Sequence, residues 1–213
     1  MLFRSYLGNQ MIMAGEADIV VAGGMESMTN APYLAAGARS GFRYGNTELA
    51  DAIVKDGLWC AFDACLMGLG TERYAGGGIT RQQQDDLAMK SNVRAAAAIA
   101  AGRLADEIVP VSIPQRKGDP IVFETDEFIN KKTNAEALAG LRPAFDKAGT
   151  VTAGNASGIN DGAAAVVVMT AKKAAALGLK PLARIAAFGT SGLDPATMGM
   201  GPVPASQIGR AHV

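Results

Sequence analysis

The chain of 213 residues is poor in several residue types, and each shortage excludes something. It has two cysteines, Cys60 and Cys65, and one histidine, His212. So few cysteines exclude a disulfide-stapled scaffold and fit a reducing compartment, so a cytoplasmic location is expected. With one histidine beside them, no zinc-ligand spacing is formed and no metal is expected. Aromatic residues make up 6% of a chain that is 49% hydrophobic, so small aliphatic residues must build the core. No apolar run approaches the ~20 residues of a membrane-spanning helix. Nor do the first residues, from Met1 to Tyr6, lead into the apolar stretch of a signal peptide. Twenty basic residues balance twenty acidic ones. That balance calls for neither nucleic acid nor a membrane surface as a partner.

What is present is helical and apolar patterning at both ends of the chain. Residues 2–14 allow a short helix, and Gly15 is a fair stop for it. Residues 17–24 read as a fully buried strand ending in glycines. Helix followed by apolar strand suggests a mostly parallel α/β sheet. Residues of about 30–150 differ, holding most of the charge and the lone Trp59. There Thr80 and Gln83 form a capping box that opens a helix running to the neighbourhood of Gly102. Glu107 to Val111 begins an extended segment, and Lys131 to Gly140 reads as a loop with one helical turn. Residues 163–169 return to a buried strand, 171–177 to a helix closed by Gly178, and 183–188 to a further strand. A long segment is thus inserted between two strands of one α/β unit.

The densest stretch is residues 151–169, where a turn of small residues runs directly into an apolar strand. Ala153 and Gly154 carry little or no side chain, which lets another molecule approach the backbone. A plain tight turn before a strand is the other reading. Elsewhere the signals are thinner. Cys60 and Cys65, placed on a helix, stand about 140° apart, face different ways and hold no common metal. They read as core or loop thiols. His212 reads as a solvated tail residue, and Asn160-Asp161-Gly162 as turn chemistry. Gly23-Gly24 offers an anion site, but no G-x-G-x-x-G follows its strand.

Four blocks, in order, resemble the thiolase family of acyl-CoA acyltransferases. They are Gly15 to Met28 with Ala31-Pro32-Tyr33; Asp56-Gly57-Leu58 to Met67-Gly68 with Thr71-Glu72; Gly78 to Asp85 with Glu107 to Val111; and Leu141 to Met169, echoed by Gly199 to Ala205. The resemblance implies a partial thiolase-like α/β fold. Residues 1–28 and 158–178 would be a remnant of the first βαβ half, and 29–157 an inserted loop domain covering acyl-CoA. Residues 179–205 would open the second half, and 206–213 form a tail unlike the family.

The implied activity is that of acetyl-CoA C-acetyltransferases and 3-ketoacyl-CoA thiolases. A thiolate at a helix N-terminus takes an acyl group as a thioester, His and Asn steady the oxyanion, and a second Cys moves the α-proton. By the same resemblance the nucleophile belongs just before Met1 and the His/Cys pair beyond residue 213. The chain is therefore expected to carry no catalytic residue and to be inactive by itself. What remains is coenzyme A or acyl-CoA as a substrate, with no tightly bound cofactor. The resemblance puts Ser157 against the pantetheine arm beside Ala153 and Gly154, with Leu58 and Met67 at apolar positions of the same tunnel. For Leu58 and Met67 plain core packing is the other reading. Leu66 stands where the family often has His or another polar residue. Asn130 stands near an Arg position, with Lys131 and Lys132 as substitutes. The expected partners are acyl-CoA molecules, and a homo-oligomer or thiolase subunit that covers the strand at 17–22. With strand 163–169 as almost its only neighbour, poor solubility of the chain alone is expected. A CoA-binding or subunit-interaction module without catalysis is the alternative.

Overall fold

A computed structural model describes residues 2–75, 77–130 and 132–211. In chain order the elements are α1 Leu2–Met13, β1 Ile19–Glu26, β2 Tyr33–Leu34, β3 Ala50–Asp51, β4 Trp59–Cys60, β5 Cys65–Leu66, α2 Met67–Ala75, α3 Arg81–Ala100, β6 Val111–Ile113, β7 Ile121–Phe123, α4 Ala135–Ala139, β8 Gly162–Met169, α5 Ala171–Ala176 and α6 Pro202–Ala211. They divide into two compact units, Met1–Gly70 with Gly158–Val213, and Thr71–Ser157.

In the first unit, β1 pairs with β8 from Ile19↔Met169 to Glu26↔Gly162. Helix α1 ends as its sequence demands. Gly15 takes φ 76°, open to glycine at no steric cost, and the Glu16 N–H returns to the Met11 carbonyl at 2.9 Å. Helix α5 opens on Thr170, whose hydroxyl accepts the Lys173 N–H at 3.0 Å, and closes on Gly178 at φ 68°. Helix α1 packs on β1 through the buried Gly8, where an added Cβ would lie 3.1 Å from a Val20 methyl. The Tyr6 ring meets Phe188 edge-on with centroids 4.6 Å apart.

Three expectations for this unit are corrected. The β1–β8 pair is antiparallel, not parallel. Residues 27–161 leave from Glu26 and return to Gly162 at one end of the ladder, as a long hairpin connection does, so no crossover helix imposes a parallel sense. The strands are also not fully buried. Ala22 is buried, but Val21, Met25 and Val167 are 70%, 79% and 60% exposed, because two strands with one packed helix leave apolar surface open. Residues 183–188 form no strand, since among the described residues they find no ladder partner. Residues 206–211 continue α6. No described helix is long and apolar enough to cross a membrane.

In the second unit α3 opens on the expected capping box. The Gln83 N–H donates to Thr80 Oγ1 at 3.2 Å, and the Thr80 N–H donates to Gln83 Oε1 at 2.8 Å. Strands β6 and β7 form a short antiparallel hairpin. The single helical turn expected before Gly140 is α4, capped by the Asn134 side chain, which accepts the Ala137 N–H at 2.8 Å.

Candidate functional site

Residues 150–157 form a loop pinned from α3 and from the part of α2 that lies in the second unit. From α2, the Glu72 carboxylate accepts the Thr150 N–H at 2.8 Å through Oε2 and the Val151 N–H at 2.7 Å through Oε1. It also accepts the Thr150 hydroxyl at 3.1 Å and packs over Gly149, which has no Cβ to obstruct it. From α3, the buried Asp85 accepts Asn155 Nδ2 at 2.9 Å through one oxygen and Arg81 Nε at 2.7 Å through the other. The same Asn155 amide reaches the Thr150 carbonyl at 3.1 Å, and Gln84 Nε2 donates to the Thr150 hydroxyl at 2.8 Å. Arg81 goes on to the carbonyls of Leu138 and Leu141. A buried carboxylate is tolerable only when its oxygens are paired in this way.

Within the loop, Thr152 is fully buried, at 0% exposure. Its N–H donates to Asn155 Oδ1 at 2.8 Å, its hydroxyl accepts the Gly154 N–H at 3.2 Å, and its carbonyl accepts the Ala156 N–H at 3.0 Å. These bonds close one tight turn. The turn holds Ala153 and Ser157 on the surface and Gly154 half-buried. Gly154 has a packing reason of its own, because a Cβ there would come within 2.5 Å of Leu138 and 2.6 Å of Leu141. The site offers an exposed hydroxyl and a surface of small side chains on a fixed turn.

Leu58 and Met67, both half-buried, belong to the first unit. They flank the β4–β5 hairpin, Leu58 just before β4 and Met67 just after β5. The hairpin corrects the reading of the cysteines. Residues 61–64 form a turn rather than a helix, so Cys60 and Cys65 are direct cross-strand partners instead of facing different ways. Asn130 is engaged locally, accepting the Lys132 N–H at 2.9 Å, while Lys131 and His212 lie outside the described residues. Asp161 holds the two ends of the β1–β8 connection together. It accepts the Thr29 N–H at 2.9 Å and the Ser27 hydroxyl at 3.2 Å. The Thr29 N–H above all, and the Ser27 hydroxyl with it, hold the Asp161 carboxyl below the usual carboxylate range. Among the described residues no group of three or more His, Cys, Asp or Glu is placed to hold a metal ion.

Sequence reasoning missed Glu72, Asp85 and Asn155 as the supports of the loop. Glu72 lay in a recognised block without a role. The one local clue to Asp85 is its spacing of four residues from Arg81, which puts the two on one helix face.

Comparison with known proteins bears on this arrangement. A family model described as the thiolase N-terminal domain matches residues 5–172. The acetyl-CoA acetyltransferase of Cupriavidus necator is 55% identical over 202 residues, covering 94% of this chain and 51% of its own length. That of Escherichia coli K12 is 56% identical over 203 residues, with the same shares covered. The chain therefore spans about half the length of these curated relatives. The crystal structure of the Bacillus anthracis acetyl-CoA acetyltransferase superposes with a TM-score of 0.91 at 40% identity, over 99% of this chain and 53% of that one. The α/β arrangement described above is thus about half of that enzyme's fold.

Proposed function

We propose, for a chain that belongs to the thiolase family through its match to the thiolase N-terminal domain, that its role is the acyl-CoA-facing part of a thiolase-type acyltransferase. The activity put forward is acetyl-CoA C-acetyltransferase chemistry. In it an acyl group passes between an enzyme thioester and CoA or acetyl-CoA, in Claisen condensation or in its reverse, thiolysis. The observation that carries this reading is the pinned turn at 150–157. It sits inside the family-matched stretch, and its supports keep Ala153 and Ser157 at the surface. Ser157 is assigned to the pantetheine arm, with Ala153 and Gly154 as the small residues beside it. Leu58 and Met67 are put forward as apolar contacts. The domain reading goes with this: 1–28 and 158–178 from the first thiolase half, 29–157 as the inserted domain, 179–205 from the second half, and 206–213 as a tail. A cytoplasmic setting follows from the cysteine usage.

These 213 residues by themselves are expected to bind CoA without turning it over. Neither cysteine lies in the first turn of a described helix, where a helix dipole would favour a thiolate. A second reading, a CoA-binding or thiolase-subunit interaction module, is favoured by the open apolar surface at Val21, Met25 and Val167. Calorimetric titration of the chain with CoA and with pantetheine tests both readings, with an acetoacetyl-CoA thiolysis assay alongside. Binding of both ligands is expected. Ser157→Ala should weaken it about two- to tenfold, the worth of one hydrogen bond, and Ser157→Trp should weaken it further by occupying the space. Equal affinity in all three chains would remove Ser157 from the site. Turnover above background would refute the lack of catalysis.

A further inference from the structure

Cys60 and Cys65 stand directly opposite each other across the β4–β5 ladder, both as free thiols. Opposed residues of an antiparallel pair have Cα atoms about 4.5 or about 5.5 Å apart, depending on whether the pair exchanges ladder hydrogen bonds. A disulfide needs about 4.4–6.8 Å, so either kind of pair falls within its reach. Cross-strand partners also project to the same face of the ladder. The turn between them is set in the backbone, with Ala64 held at φ 49° beside Cys65. The Asp63 N–H donates to Cys60 Sγ at 3.4 Å and fixes that sulfur. The two thiols differ in access, since Cys60 is half-buried and Cys65 is only 6% exposed.

We propose that Cys60 and Cys65 form a reversible dithiol–disulfide pair, a modification site whose substrate class is low-molecular-weight disulfides. Cys60, the accessible member, reacts first. Its thiolate attacks one sulfur of the small disulfide, whose S–S bond breaks and releases one small thiolate. The deprotonated Cys65 then attacks Cys60 Sγ of the mixed disulfide, and the second small thiolate leaves. The two protein thiols are oxidised by two electrons in all. The small disulfide is reduced to two thiols, which take up the two protons. The order follows from access, because Cys65 is too enclosed to meet the small disulfide but lies opposite Cys60. The bond ties the hairpin that has Leu58 at one foot and Met67 at the other.

The test incubates the reduced chain with oxidised glutathione, alkylates the remaining thiols and maps the products by mass. Trypsin leaves both cysteines in one peptide, Asp56 to Arg73. Titratable thiols are expected to fall from two to none. That peptide should lose the mass of two hydrogens, carry no glutathione, and revert with dithiothreitol. Cys65→Ser should stop at one glutathione on Cys60, and Cys60→Ser should react several-fold more slowly than the unmodified chain. Glutathione retained on the wild-type peptide, disulfide-linked dimers, or thiols that stay unreacted would each overturn the proposal.

Discussion

Replacing Glu72 tests whether the candidate site rests on its carboxylate. The side chain reaches across 78 and 79 residues of sequence to the N–H groups of Thr150 and Val151. In Glu72→Ala both donors lose their partner. Val151 is 5% exposed, so its N–H is left unpaired away from water at about 2 kcal/mol, within the usual range for a lost buried hydrogen bond. Thr150 is half-buried, and water can take over part of that bond, so its loss is set lower, at about 1 kcal/mol. The sum, about 3 kcal/mol, is a large share of the ~5–15 kcal/mol that holds a typical protein folded. With a urea slope of about 2 kcal/mol per molar, the unfolding midpoint should drop by about 1.5 M. Glu72→Gln is the sharper probe. Both carboxylate oxygens accept an N–H, so the amide must turn its NH₂ toward one of the donors. Its midpoint should fall between those of the wild type and Glu72→Ala. Far-UV circular dichroism in urea gives the midpoints, and hydrogen exchange at Val151 reports the site directly. If Glu72→Ala keeps the wild-type midpoint, or Glu72→Gln matches the wild type, the carboxylate does not anchor the loop.

Two further outcomes follow from the geometry. Gly154→Ala places a methyl against Leu138 and Leu141, and overpacking of this kind costs about 1–3 kcal/mol, which should lower the Tm by about 3–9 °C; an unchanged melt would show that the two leucines yield freely. Asp161 has a lowered folded-state pKa, so the stability it adds is present above the ordinary carboxylate value near ~4 and is lost as the pH falls through the folded value. Urea midpoints measured from about pH 6 down to about pH 2.5 should therefore decline more steeply at the acid end in the wild type than in Asp161→Asn, and parallel curves would remove the Thr29 contact as the cause.

Local signals were legible in the sequence because their physics is local. The capping box of Thr80 and Gln83 and the glycine stops at Gly15 and Gly178 involve residues a few positions apart, and each is where it was expected. The two main strands were legible as apolar runs, and so was their pairing. Their direction and exposure were not, because those depend on where the chain returns and on what covers each face. Residues 183–188 show the same limit, since a strand-like composition makes a strand only when a ladder partner is present. Cys60 and Cys65 were misjudged because a spacing of five means one thing on a helix and the opposite across a hairpin.

The sequence by itself determined the family, through four blocks that the match over residues 5–172 bears out. It also singled out the small-residue turn at 151–157 as a candidate binding stretch. Only the tertiary structure decided what holds that turn in place. Its supports, Glu72 and Asp85, lie 70 or more residues away from the groups they bind. No periodicity or motif links residues so far apart, because the link is made by the packing of α2 and α3 against the loop and not by the chain between them.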